Sequence, residues 1–471
     1  MLFALASIVA ATITSAQVQR NAATTEASSE LRRAAELLRS GNLNEAEPVL
    51  RHVVLSDPKN ADAHNLLGVI MDQRGKTAEA EREYRTALRL NPNSVSAMAN
   101  LGVLLAHTQR EDDAAKMFES VLRVAPDHPQ ATINLGLLYA ARKDYERAAQ
   151  LLTRANELQP QTFDILFQLG VALYNLKRLD EAANALESGS TLNPNAAEPF
   201  YYLGLIASAR GQDEAAGDLW QKAVALRPNY PEANFMLGEV LRKNKSIQAS
   251  VEFYQRALEQ DSTQFVYYAR LGGVFIALGQ PDQALNVFRQ GLLRFPKLAE
   301  AHYFAGIAAR AQADYDFAET ELRKSLALEA GNVNALAQLG FVLLERDRMP
   351  EAEATLRRAI AINDKHFYAN YDLGRLLVKS RRYEEALPIL EHAIKLKPNN
   401  PSVHYQLFMA LSRLKRKDEA DRELSTFKRL DEARKSRPRS EGELDEDDMQ
   451  NPSASPVPSA QPNPSEELSL N

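Results

Sequence analysis

The chain has no cysteine among its 471 residues. That excludes a disulfide, a thiolate-bound zinc, a cysteine nucleophile and a cysteine-linked lipid anchor. Excess charge is also scarce, with 56 basic against 62 acidic side chains. Eight of the acidic residues lie between Ser440 and Asn471, where no basic residue occurs, so the remainder carries 56 basic against 54 acidic groups. That balance is too even for the electrostatic footprint of a nucleic-acid binder. Several motifs of enzyme chemistry are missing as well. There is no His-Glu-x-x-His, no phosphate-cradling glycine loop ending in Lys-Ser or Lys-Thr, no dinucleotide fingerprint and no Gly-x-Ser-x-Gly elbow. Hydrophobic residues at 45% and charged residues at 25% exclude a mainly disordered chain.

The two ends differ from the middle. Residues 1–16 hold an apolar stretch from Leu2 to Ile13, followed by Thr14-Ser15-Ala16 before Gln17. This has the length of an export signal with a small-residue cleavage site and is too short to span a bilayer, although no Lys or Arg precedes the apolar run. A signal peptide over 1–16 and a linker over 17–26 are the expectation, with the mature protein periplasmic or secreted. A cytoplasmic chain with a mis-assigned start is the alternative. At the other end, 435–471 is rich in Ser, Pro, Glu and Asp and is expected to be a solvated, disordered tail.

Between the ends one spacing dominates. Glycine recurs at Gly68, Gly102, Gly136, Gly170, Gly204, Gly238, Gly272, Gly306, Gly340 and Gly374, each step being 34 residues. Twelve places after each comes a small residue, as in Ala80, Ala114 and Ala182, and four further on a large one, as in Tyr84, Phe118, Leu186 and Trp220. Proline closes many units, for example Pro58, Pro92, Pro126, Pro194 and Pro398. Twelve such units run from Ala27 to Arg434.

The fifth unit, Phe163 to Ala196, shows why these letters recur. Phe163, Leu166, Leu169, Gly170 and Leu173 fall at helical spacing, and Ala182, Leu186 and Gly189 repeat the pattern. Lys177-Arg178-Leu179-Asp180 reads as the connection between two antiparallel helices. Gly170 and Ala182 mark the close approach of the two backbones. Pro194 stops the second helix, because proline cannot continue it and disfavours helical geometry before it. A single hairpin exposes apolar surface on both sides, so neighbours must stack to bury a continuous core.

This pattern at this period resembles the tetratricopeptide repeat family. The resemblance implies an all-α, right-handed superhelical solenoid of antiparallel helix pairs, with first helices lining a concave groove. The first unit, with Arg33 and Ala34 at the Leu-Gly positions, and the twelfth, with Phe408 and Phe427 at small-residue positions, read as caps. Ser250 and Ser262 in the seventh unit predict slightly looser packing around Asn244 to Gln264.

With nearly the whole chain in repeats, no catalytic domain fits, and neither a catalytic residue, a metal nor a cofactor is expected. His64 and His302 occupy equivalent places seven units apart, too far to share a metal. Function is expected on the first-helix stripe, at unit positions 2, 5, 6, 9, 12 and 13. There the middle units offer Phe167, Tyr174, Tyr201, Tyr202, Phe235 and Met236, beside an amide row of Asn100, Asn134 and Gln168. Rings bury apolar side chains while amides bond peptide groups, which suits an extended peptide. The same rings could instead pack on the adjacent unit. Arg270, Arg310, Arg375 and Lys379 read as scattered surface cations, so an acidic chaperone-type tail is not the expected ligand. The resulting expectation is a monomeric, non-catalytic scaffold that binds protein or peptide partners, not nucleic acid, and has no membrane span in the mature chain. It would assist assembly of an envelope complex, as the resemblance implies for exported proteins of this build. The alternatives are a substrate-selecting accessory of a separate glycosyltransferase or peptidase, and a cytoplasmic scaffold. Alanine at Tyr201, Tyr202 and Phe235 together is expected to abolish capture without changing stability.

Overall fold

A computed structural model of the protein describes residues 25–436. The expected signal peptide and nearly all of the expected tail lie outside these residues. The described residues hold 24 helices and no strand. They divide into two compact units, 25–226 and 227–436.

The first unit contains α1 (Thr25–Arg39), α2 (Leu43–Ser56), α3 (Ala61–Gln73), α4 (Thr77–Leu90), α5 (Val95–His107) and α6 (Glu111–Val124). It continues with α7 (Pro129–Ala141), α8 (Tyr145–Leu158), α9 (Phe163–Asn175), α10 (Leu179–Leu192), α11 (Glu198–Ala209) and α12 (Asp213–Leu226). The second unit contains α13 (Pro231–Lys243), α14 (Ile247–Gln260), α15 (Phe265–Ala277), α16 (Pro281–Arg294), α17 (Ala299–Ala311) and α18 (Tyr315–Leu328). It closes with α19 (Val333–Glu345), α20 (Met349–Ile362), α21 (Phe367–Lys379), α22 (Tyr383–Leu396), α23 (Pro401–Arg413) and α24 (Lys417–Ser436). Odd-numbered helices are the first members of their pairs and even-numbered helices the second. Both outer helices reach two residues beyond the repeat frame, at Thr25 and Ser436. Within each unit every first helix packs on its own partner and on the second helix before it. Successive first helices also meet along most of each stack, whereas second helices pack closely only on first helices. First helices therefore line the inner face of each unit.

The recurring glycine makes room for the large residue sixteen places on. A Cβ on Gly68 would lie 2.6 Å from the Tyr84 ring, and one on Gly102 would lie 2.7 Å from Phe118. On Gly170 it would lie 2.5 Å from Leu186 and 3.4 Å from the Ala182 carbonyl. The closest approach is thus helix backbone to ring or branched side chain, with Ala182 a secondary contact. Tyr84, Phe118, Trp220, Tyr254 and Phe288 are buried completely or almost so.

The connection between paired helices is shorter than the sequence suggests. Leu179 and Asp180 already belong to α10, and the turn is carried by Lys177 at φ 62°. Lys177 N–H donates to the Tyr174 carbonyl and Arg178 N–H to the Leu173 carbonyl, both at 2.9 Å. That is the double carbonyl bond of a Schellman turn. The same left-handed residue recurs at Gly41, Gly75, Gln109, Lys143, Gly211, Lys245, Gly279, Ala313, Asp347, Arg381 and Lys415. Only four of the twelve are glycine, so the others hold an unfavourable backbone. The space a side chain would occupy at Gly41, Gly75, Gly211 and Gly279 is open, so the effect is purely conformational. Ala313→Gly is expected to raise stability by about 0.5–1 kcal/mol in urea unfolding. A loss on that substitution would mean that the turn is not left-handed there.

Stacked pairs are tied by first-helix side chains that reach back to the preceding turn. His302 Nδ1 lies 2.6 Å from Glu321 Oε2, and Nε2 donates to the Pro296 carbonyl at 3.1 Å. His64 repeats this with Glu83 and Pro58, and His404 repeats it with Glu423 and Pro398. Asn370 makes the equivalent bond to the Asp364 carbonyl at 2.8 Å. These histidines are structural ties.

In the twelfth pair Tyr405 lies 5.2 Å from Phe427 and 6.1 Å from Phe408 between ring centroids. The segment Asn244 to Gln264, where looser packing is expected, is closely packed at Ser250 but open at Ser262, which lines a cavity with Leu258, Tyr268 and Phe275. Ser250 and Tyr254 have no exposed surface, and Ser250 Oγ donates to the Ile247 carbonyl at 2.7 Å.

Candidate functional site

In the first unit, α9 and α11 bring four of the expected residues together. The Phe167 and Tyr202 rings are 6.0 Å apart edge to face, Tyr174 and Tyr202 5.7 Å, and Tyr201 and Tyr202 5.4 Å. Their depths differ. Tyr201 has no exposed surface, and the Trp220 indole N–H donates to its carbonyl at 3.1 Å. Phe167 and Tyr202 are buried, whereas Tyr174 is half-buried with Lys177 over its ring at 5.4 Å. Gln168, on the same helix, is also half-buried.

Phe235 and Met236 lie in the second unit, on α13, and both are buried. Phe235 packs 5.7 Å from Tyr254 and 5.1 Å from Tyr267. Tyr201 and Phe235 are core residues of their own units, which corrects the expectation that alanine at Tyr201, Tyr202 and Phe235 would leave stability unchanged. Removing a fully buried aromatic side chain costs about 3–5 kcal/mol.

The amide row is interrupted. Asn100 Nδ2 donates to Asn65 Oδ1 at 3.0 Å, and Asn65 Nδ2 donates to Ser96 Oγ at 3.4 Å. Asn134 Oδ1 instead accepts from Gln130 Nε2 at 3.1 Å, and Asn134 Nδ2 is buried without a hydrogen-bond partner. Two short amide networks result, and Asn65 joins the site although the row did not include it. It stands at stripe position 5 of its unit, which was the available signal.

The four scattered cations are held on the second unit's inner face. Arg270 Nε donates to Glu239 Oε1 at 2.9 Å, and Tyr254 O–H donates to the same oxygen at 2.5 Å. Burial and the Glu239 charge push the Tyr254 hydroxyl well above the usual phenol range. Lys379 pairs with Asp347 at 3.0 Å. Arg310 and Arg375 both stack on Phe341, each guanidinium carbon 5.1 Å from the ring centroid. These two share one ring and so are not scattered surface charges. Among the described residues, no group of three or more His, Cys, Asp or Glu is placed to hold a metal ion. No helix among them is long and apolar enough to cross a membrane.

Helix pairs in a 34-residue register, each glycine seated under a ring or leucine of its own partner helix, define an all-α repeat solenoid. The chain belongs to the tetratricopeptide repeat family. Family profiles described as tetratricopeptide repeat match residues 37–103, 73–133 and 167–231. A profile of the anaphase-promoting complex, cyclosome, subunit 3, matches 107–189, and one of the cilia and flagella-associated protein 70 C-terminal domain matches 212–446. No curated protein matches the sequence.

Several solved structures are similar to the chain. YrrB, described as a TPR protein with an unusual peptide-binding site, is 23% identical over 42% of this chain and 97% of its own, with a TM-score of 0.38. PilF of Pseudomonas aeruginosa is 19% identical over 46% of this chain and 97% of its own, with a TM-score of 0.39. The Cut9–Hcn1 structure is 14% identical over 87% of this chain and 94% of its own, with a TM-score of 0.44.

Proposed function

We propose that the chain is a non-catalytic interaction scaffold that captures protein or peptide partners on its first-helix faces. The observation carrying this reading is the inner face of the first unit. A half-buried tyrosine and a half-buried amide, Tyr174 and Gln168, stand there on one helix above a buried floor of Phe167 and Tyr202. Such a surface offers an aromatic face for apolar side chains and an amide for a peptide group, without disturbing the core beneath it.

We further propose that the protein works outside the cytoplasm and assists assembly of a complex there, on the strength of the apolar leader at 1–16. N-terminal sequencing of the mature protein tests the location. A chain beginning at or near Gln17 supports export, and an intact Met1 overturns it.

The capture reading is tested with Tyr174→Ala and Gln168→Ala combined, because these side chains are not core residues. Recovery of cross-linked native partners should fall at least tenfold while helicity is unchanged and the urea midpoint falls far less than on losing a fully buried ring. Unchanged recovery would contradict the groove assignment.

A further inference from the structure

Three consecutive first helices of the second unit, α17, α19 and α21, seat two cations on one ring. Arg310 and Arg375 each approach Phe341 to 5.1 Å. Arg375 is partly neutralised by Glu345, 2.7 Å from Nη2, and its Nε lies 3.5 Å from Asp372 Oδ1, outside hydrogen-bond geometry. Arg310 forms no ion pair among the described residues. Two like charges on one ring repel each other, and an anion reaching both would remove that cost.

The same three helices carry a group of unmet hydrogen-bonding atoms. Tyr303 Oη, Arg310 Nε, Gln338 Oε1, Asp372 Oδ1 and Arg375 Nε are all buried without a hydrogen-bond partner. Tyr303 is 5% exposed and Asp372 4%. A buried polar atom left unbonded typically costs about 1–3 kcal/mol, so such atoms are rare in folded proteins and call for a physical reason. Here five fall on the inward stripe of adjacent helices, at unit positions 5, 12, 6, 6 and 9. They comprise N–H and O–H donors together with acceptors, which matches an amide chain carrying carboxylates better than a bare anion.

We propose that this cluster binds an acidic peptide, with a ligand carboxylate bridging Arg310 and Arg375 and a ligand backbone N–H donating to Gln338. The inference rests on the peptide-capture reading and names the chemistry of one of its partners. Guanidinium groups held in place by an aromatic face present charge-assisted donors suited to a carboxylate. Tyr303 O–H is a further donor beside them. Asp372 does not oppose the ligand charge when protonated. Burial raises its carboxyl to about 7, Glu345 acting in the same direction and Arg375 and Arg310 against it.

Fluorescence anisotropy with the full chain tests this with two labelled, end-capped octapeptides, one alternating Leu and Glu, the other alternating Leu and Gln. The Glu peptide should bind at least tenfold more tightly. Arg310→Gln and Arg375→Gln should each remove that preference with helicity unchanged, while Arg381→Gln, at an exposed turn, should leave it intact. Equal affinity for the two peptides would overturn the carboxylate assignment and leave peptide capture standing. A preference that survives Arg310→Gln, or binding of neither peptide, would overturn the assignment too. The Tyr174→Ala, Gln168→Ala chain should keep the Glu preference, so failure at one face is distinguishable from failure at the other.

Discussion

Gly204→Ala is expected to destabilise the first unit by about 2–3 kcal/mol, the cost of overpacking a closed core. The new Cβ would lie 2.5 Å from Trp220 Nε1 and 2.7 Å from Cδ1. Trp220 cannot withdraw, since it has no exposed surface and its N–H is bonded to the Tyr201 carbonyl at 3.1 Å. Replacing Trp220 by Leu in the same chain should recover part of the loss. The first helix pair shows that the combination fits, because Ala34 and Leu50 occupy the matching positions and both are fully buried. A double-mutant cycle by urea unfolding should therefore return a favourable coupling of at least about 1 kcal/mol, as for residues in direct contact. Additive effects of the two substitutions would mean that α11 and α12 do not meet at this ring.

Asp372→Asn is expected to stabilise the protein at pH 8 and not at pH 4. Burial lifts the folded-state carboxyl from its ordinary value near 3.8 to about 7. Between those values the folded state keeps the proton and the unfolded state has lost it, so the unfolded state binds fewer protons. Stability attributable to this group is therefore fully present below the unfolded value and is lost as pH rises through the folded value. The full difference is on the order of 4 kcal/mol. The asparagine variant lacks the titration. Its gain over the parent should appear between pH 4 and pH 7 and then level off in chemical denaturation. A constant offset across that range would show that Asp372 is ionised in the folded protein throughout.

Much of the architecture was legible in the sequence because a 34-residue period with fixed small and large positions admits few packings. The tie between Gly204 and Trp220 is one instance of a rule that the letters already carry. The left-handed turns were less legible. Lys177, Ala313 and Arg381 are not residues that announce positive φ, and the conformation follows from the Schellman bonds of the helix end.

Depth on the inner face was the weakest point. Helical spacing places Tyr201 and Tyr174 on the same side, but Tyr201 is fully buried with its carbonyl bonded to the Trp220 indole, whereas Tyr174 is half-buried beside Tyr202 with Lys177 over its ring. Arg310 and Arg375 looked scattered because they are 65 residues apart at stripe positions 12 and 9, with Phe341 on the helix between them. Stacking places them side by side, one helix after the next. Asn65 and Asn100 meet in the same way, 35 residues apart.

The central claim is that partners are held by first helices and not by second helices. A photo-reactive phenylalanine derivative placed at Gln168 on α9, or at the exposed Asn184 on α10, compares the two faces directly in living cells. Discrete partner cross-links from position 168 and none from position 184 are the predicted result. Cross-links of equal yield from both positions, or from 184 alone, would contradict the account.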